Sequence, residues 1–126
     1  MNIRSLWLVV GWLGVVAALV FSLGPATPEG TGQHVDKLVH LAGYAALMYW
    51  WGQLYVNFAQ RVRVGAALIL LGIVIEWLQG LTPTRDPDAW DVLANTTGIL
   101  LGGWFAYRSA NLLQLCARHA PSSRGK

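Results

Sequence analysis

The chain has 126 residues, of which 12% are charged and 55% hydrophobic, and it carries a net charge of +3. That charged fraction is about half the ~25% of an ordinary soluble domain, and the apolar residues come in long runs, so a single small soluble core is excluded. The basic residues are scattered at the ends of those runs, which argues against nucleic acid, and the one cysteine, Cys116, excludes an internal disulfide framework or a thiolate metal cluster.

Four runs predict an all-α fold, a four-helix transmembrane bundle with short loops. They cover about Leu6–Leu23, Leu38–Phe58, Val64–Leu81 and Asp91–Tyr107. A span takes ~17–25 residues, and inside hydrocarbon it must be helical because its backbone groups find partners only within their own segment. The first run exceeds the 7–15 apolar residues usual in a signal peptide and is read as an uncleaved anchor behind Arg4. Gly24-Pro25 and Pro28-Glu29-Gly30 end it. Arg61 and Arg63 are expected between the second and third helices, and Thr82 to Pro87 between the third and fourth.

Beyond the fourth run lies a tail, residues 108–126. Leu112, Leu113, Leu115 and Arg118 suit a surface helix on the inner leaflet or a frayed helix end, and residues after Ala120 read as disordered.

Lys and Arg set the orientation. Arg4, Arg61, Arg63, Arg108, Arg118, Arg124 and Lys126 fall on one side of this arrangement, and only Lys37 and Arg85 on the other. The positive-inside rule then puts both termini in the cytoplasm of a multi-pass protein of the inner membrane. Glu29, Asp36, Asp86 and Asp88 make the external loops acidic. Trp7, Trp104 and Trp90 suit interfacial anchors, whereas Trp50 and Trp51 fall deep enough to pack within the bundle.

The ionisable residues of the spans gather in the external half. Glu76 lies five residues from the outer end of its helix, ~7–8 Å deep at 1.5 Å per residue. At 3.6 residues per turn, Asp36, His40, Gly43 and Leu47 share a face with Tyr44 at its edge. Gly65, Gly72, Glu76 and Gln79 share another, and Asp91, Asn95, Gly98 and Gly102 a third. Glycine stripes let helices approach, so these faces, with a weaker one at Gly11, Gly14 and Ala18, are expected to pack together. The polar groups then converge in one pocket capped by Arg85. Plainer readings stand beside this one. Asp36 and Asp88 fit N-caps, and Asp91 fits a capping box behind Asp88. Asn95 and Gln79 fit interhelical hydrogen bonding, and Arg85 a pairing with Asp86 or Asp91. Glu76 is the hardest to explain without a partner.

The pattern resembles the VanZ-like family of bacterial membrane proteins over roughly residues 34–105. The motifs are Asp36-Lys37-Leu38-Val39-His40 with Tyr44, then Glu76-Trp77-Leu78-Gln79, Arg85, and Asp91-Val92-Leu93-Ala94-Asn95 with Gly98 and Gly102. The family's namesake is linked to teicoplanin resistance. The resemblance implies a cell-envelope setting, antibiotic resistance and a site at Asp36, Lys37, His40, Tyr44, Glu76, Gln79, Arg85, Asp91 and Asn95, but no established reaction.

Three functions follow from these residues. In the first, the pocket binds a lipid-linked envelope precursor or similar ligand among the membrane lipids, with Arg85 as a bidentate phosphate holder. In the second, Glu76 acts as general acid or base with His40 or Asp91, although no nucleophile stands nearby. In the third, the chain is an accessory or structural membrane protein and the polar groups only fix helix geometry. No cofactor is called for. Asp36, His40, Glu76 and Asp91 offer a donor set for zinc or manganese, but capping explains the aspartates equally well, so no metal is expected. Four short helices leave little room for alternating access, and an oligomer is left open.

Overall fold

The computed structural model describes residues 1–25 and 32–119, which form five α-helices and no strand. They are α1 (Ile3–Leu23), α2 (Gln33–Leu54), α3 (Phe58–Gln79), α4 (Ala89–Arg108) and α5 (Leu112–His119). Expectations resting on Glu29, on the break at Pro28 to Gly30, on Arg124 and Lys126, and on the tail after Ala120 lie outside the described residues.

The four long helices have 21, 22, 22 and 20 residues, about 30–33 Å at 1.5 Å per residue. That matches the ~30 Å hydrocarbon core of a bilayer. Two of them, α1 and α3, are apolar enough along their length to cross a membrane. The other two are long enough, but α2 carries Asp36, Lys37, His40 and Gln53, and α4 carries Asp91 and Asn95.

Local capping moves the expected boundaries. The second helix was expected to reach Phe58, yet α2 stops at Leu54 and Phe58 already opens α3. The Asn57 side chain accepts the N–H of Ala59 at 2.8 Å, an N-cap hidden inside a continuous apolar run. Arg61 and Arg63 therefore stand in the first turns of α3 rather than in a loop. The Arg61 guanidinium donates to the carbonyls of Gly52 (2.8 Å) and Tyr55 (2.9 Å), so it satisfies the end of α2 that a longer loop would otherwise solvate. At α4 the expected cap is present: Asp88 accepts the N–H of Trp90 at 2.9 Å.

The helices alternate in direction. At one end Trp50 donates to the carbonyl of Trp7 (2.9 Å) with their rings stacked 4.0 Å apart, and Asn111 donates to the carbonyl of Gln53. At the other end Gln79 of α3 donates to the carbonyl of Ser22 in α1. Trp7 is buried beside Trp51, Leu54 and Leu113, so it is a packing residue and not the exposed interfacial anchor expected. Trp90 and Trp104 are exposed, and Trp51 is buried as expected.

The tightest contact is between α2 and α4. A Cβ added to Gly98 or Gly102 would collide with the backbone carbonyls of Leu41 and Ala45 respectively, so the two backbones touch. Around this seam lies a core of Tyr44, Leu47, Met48, Leu68 and Ile99. Outward, every long helix exposes large apolar side chains, among them Phe21, Leu38, Leu70 and Leu100. The region after α4 forms the short helix α5, whose N–H at Leu112 is taken by the buried Gln53 side chain at 2.8 Å.

Candidate functional site

Three elements meet at the end of the bundle where α2 and α4 begin. The first turns of both helices carry charge, and the close α2–α4 seam holds those charges opposite one another. Lys37 of α2 places its ammonium 2.6 Å from Asp88 and 3.0 Å from Asp91. One turn deeper, His40 Nδ1 lies 3.2 Å from the Asn95 side-chain oxygen. With that oxygen as the acceptor, Nδ1 is the donor nitrogen of the ring. The opposite ring nitrogen, Nε2, faces Asp36 at 3.8 Å and Asp91 at 3.9 Å.

Glu76 enters from α3 and accepts the backbone N–H of Asp88. In a capping box the residue three positions into the helix would reach back to that N–H. Here Glu76 takes the role from the neighbouring helix, and Asp91, expected to complete the box, turns to Lys37 instead. Asp36, considered as an N-cap, lies inside the first turn of α2. Asp88 is held below the usual carboxylate range first by the Lys37 ammonium and then by the N–H of Trp90.

The remaining candidates separate from this network. Gln79 is buried and bonds across to α1 at Ser22 (2.6 Å). Arg85 pairs with neither Asp86 nor Asp91; it donates to the carbonyls of Gly24 (3.1 Å) and Pro25 (3.3 Å) at the end of α1. Tyr44 is 3% exposed, with its hydroxyl against Gly72 and no hydrogen-bond partner among the described residues.

A groove of about 500 Å³ runs between α1 and α2, within the size range of ligand pockets. Its apolar length is lined by Gly11, Gly14, Ala18, Phe21, Gly43 and Leu47, and its polar end by Asp36, His40 and Arg85. The single pocket expected from the nine residues is thus divided. Asp36, His40, Tyr44 and Arg85 line the groove; Lys37, Glu76, Asp91 and Asn95 stand behind it in the α2–α3–α4 network; Gln79 is a separate tie.

The expected face of α2 also needs correcting. Gly43 is exposed, and a Cβ there would meet nothing within 4 Å, so it widens the groove instead of admitting a helix. Gly14 does approach Leu47, and Gly11 the indoles of Trp50 and Trp51. The groove residues Val10 and Phe21 belong to none of the sequence motifs. The signal for them was the smallness of facing positions on α1 and α2, which reads equally as close packing.

Compared with protein-family models, curated proteins and solved structures, the chain matches none.

Proposed function

We propose that this chain is a four-span protein of the bacterial cytoplasmic membrane, both termini inside, that holds an amphipathic cell-envelope ligand in the α1–α2 groove. A lipid-linked precursor is the class that fits: an apolar chain along Gly14, Gly43 and Leu47, and a phosphate or sugar head at Arg85, His40 and Asp36. The observation that carries this reading is the continuity of one groove from apolar floor to charged end. A water-soluble ligand would have no use for the floor, and a purely structural cluster would have none for the opening.

The membrane setting is supported by the outward apolar side chains of all four long helices, which in water would form a patch far larger than monomers tolerate. It is supported also by charge. Arg4, Arg61, Arg63, Arg108 and Arg118 lie toward the end where α1 and α3 start, and Lys37 and Arg85 toward the other. The α1–α2 groove then opens sideways below the outer surface, where a lipid enters without leaving the leaflet. The likeness of the Asp36–His40, Glu76–Gln79 and Asp91–Asn95 motifs to the VanZ-like family agrees with an envelope role, including one in glycopeptide resistance.

Native mass spectrometry of protein extracted in mild detergent tests the reading. The expected result is one retained amphipathic molecule per chain, lost in Arg85→Ala. A ligand-free wild-type spectrum under conditions that keep the fold would contradict it.

A further inference from the structure

The Asp36, His40 and Asp91 side chains have a geometry that capping does not account for. One oxygen of each carboxylate and Nε2 of the imidazole all lie within 4.8 Å of one another. The His40 side chain is only 9% exposed, and Nε2 makes no hydrogen bond among the described residues, since its nearest carboxylate oxygens are 3.8 and 3.9 Å away. Nε2 borders the groove, and a lone pair facing two carboxylates is repelled by both unless something cationic sits between them.

We propose that Asp36, His40 and Asp91 bind one divalent cation of the zinc or manganese class at the polar end of the groove. Four observations converge on it. Asn95 stands 3.2 Å from Nδ1, and with its oxygen as acceptor the ring presents the Nε2 lone pair to the carboxylates; metal-binding histidines are oriented by such a bond on their other nitrogen. Imidazole with two carboxylates is a donor set suited to these metals. Donors bound at ~2.0–2.2 Å need these side chains to close by only a fraction of an ångström to about one ångström. Finally, Lys37 occupies Oδ1 of Asp91 and leaves Oδ2 toward His40, so it orients that carboxylate without filling the site.

The side of this triad toward the groove, lined by Asp36 and His40 themselves, leaves room for further ligands such as water or an anionic oxygen. Glu76, which a reading from sequence alone groups with these donors, lies outside the 4.8 Å cluster and turns to the N–H of Asp88. The metal site does not depend on the lipid reading. It is measured with the metal alone.

Tag-free protein, stripped with chelator and kept folded in detergent, is titrated with Co²⁺ while its visible absorption is followed, and then with competing Zn²⁺. One saturable site per chain is expected, displaced by Zn²⁺. Asp36→Asn, at a half-exposed position where the fold is retained, should weaken binding at least tenfold, and His40→Ala should abolish it. Asn95→Ala should cost ~10–100-fold through loss of imidazole orientation. Absence of saturable binding, as when a second proton rather than a metal sits on Nε2, would overturn the proposal. So would binding unchanged in Asp36→Asn, which would place the ion on His34 or His119.

Discussion

The carboxylate of Glu76 accepts the backbone N–H of Asp88, so a residue near the end of α3 closes the first turn of α4. Glu76 is 7% exposed, and the contact supplies the partner that a buried carboxylate requires. A general acid or base must reach a substrate, and Glu76 does not line the groove. The bond makes it a positioning residue for α4 and, through α4, for Asp91 and Asn95.

Glu76→Gln keeps an oxygen that accepts this N–H, and Glu76→Leu does not. The loss for Leu should be ~1–3 kcal/mol, the cost of an unmade buried hydrogen bond, and that for Gln should be well below it. Thermal unfolding in detergent measures both. Ligand retention should follow the same order; a Gln variant that is stable yet inactive would instead favour acid–base chemistry.

The α2–α4 seam predicts a sharp contrast among neighbouring glycines. Gly98→Ala or Gly102→Ala pushes a methyl group into a backbone carbonyl, which cannot swing aside as a side chain can. Each should cost at least the ~1–3 kcal/mol of core overpacking. Gly103→Ala meets only the Met48 side chain, at an ordinary 3.6 Å, and should be neutral or slightly stabilising. Equal melting temperatures for all three variants would refute the seam.

Asp88 gives a pH dependence of known sign. Its folded-state pKa is depressed by Lys37 and by the Trp90 N–H, so its contribution is complete above the unfolded value of ~3.9 and is lost as pH falls through the folded value. Stability in detergent should therefore decline on acidification below about pH 4. Asp88→Asn keeps an N-cap side chain but loses the ion pair, and should flatten that decline.

Orientation is tested at Cys116, the single cysteine, which is exposed on α5. A membrane-impermeant maleimide should label it only after cells are opened. Labelling in intact cells would invert the topology and place the groove's polar end in the cytoplasm.

The parts of this fold written in a single helix were the legible ones. Asp91, Asn95, Gly98 and Gly102 recur at helical spacing and do form one buried stripe, as do Gly65, Gly72, Glu76 and Gln79. What joins two helices was harder to read. The α2–α3 turn stayed hidden because Asn57 sits within an apolar run and because Arg61, which looks like a loop residue, caps α2 from inside α3. Trp7 was misread because an indole near a helix end suits an interface and a core equally, and only the stacking on Trp50 decides between them. Small residues carry the same ambiguity. Gly102 marks contact and Gly43 marks a gap, and nothing in the spacing of either separates the two outcomes.

Gly43 offers the most direct test of the groove as a ligand site. Gly43→Leu adds a side chain where a Cβ meets nothing within 4 Å, so it fills the groove without disturbing the helices around it. Native mass spectrometry should show a folded variant that has lost the amphipathic molecule retained by the wild type. A folded Gly43→Leu protein that retains the molecule at wild-type stoichiometry would contradict binding between α1 and α2.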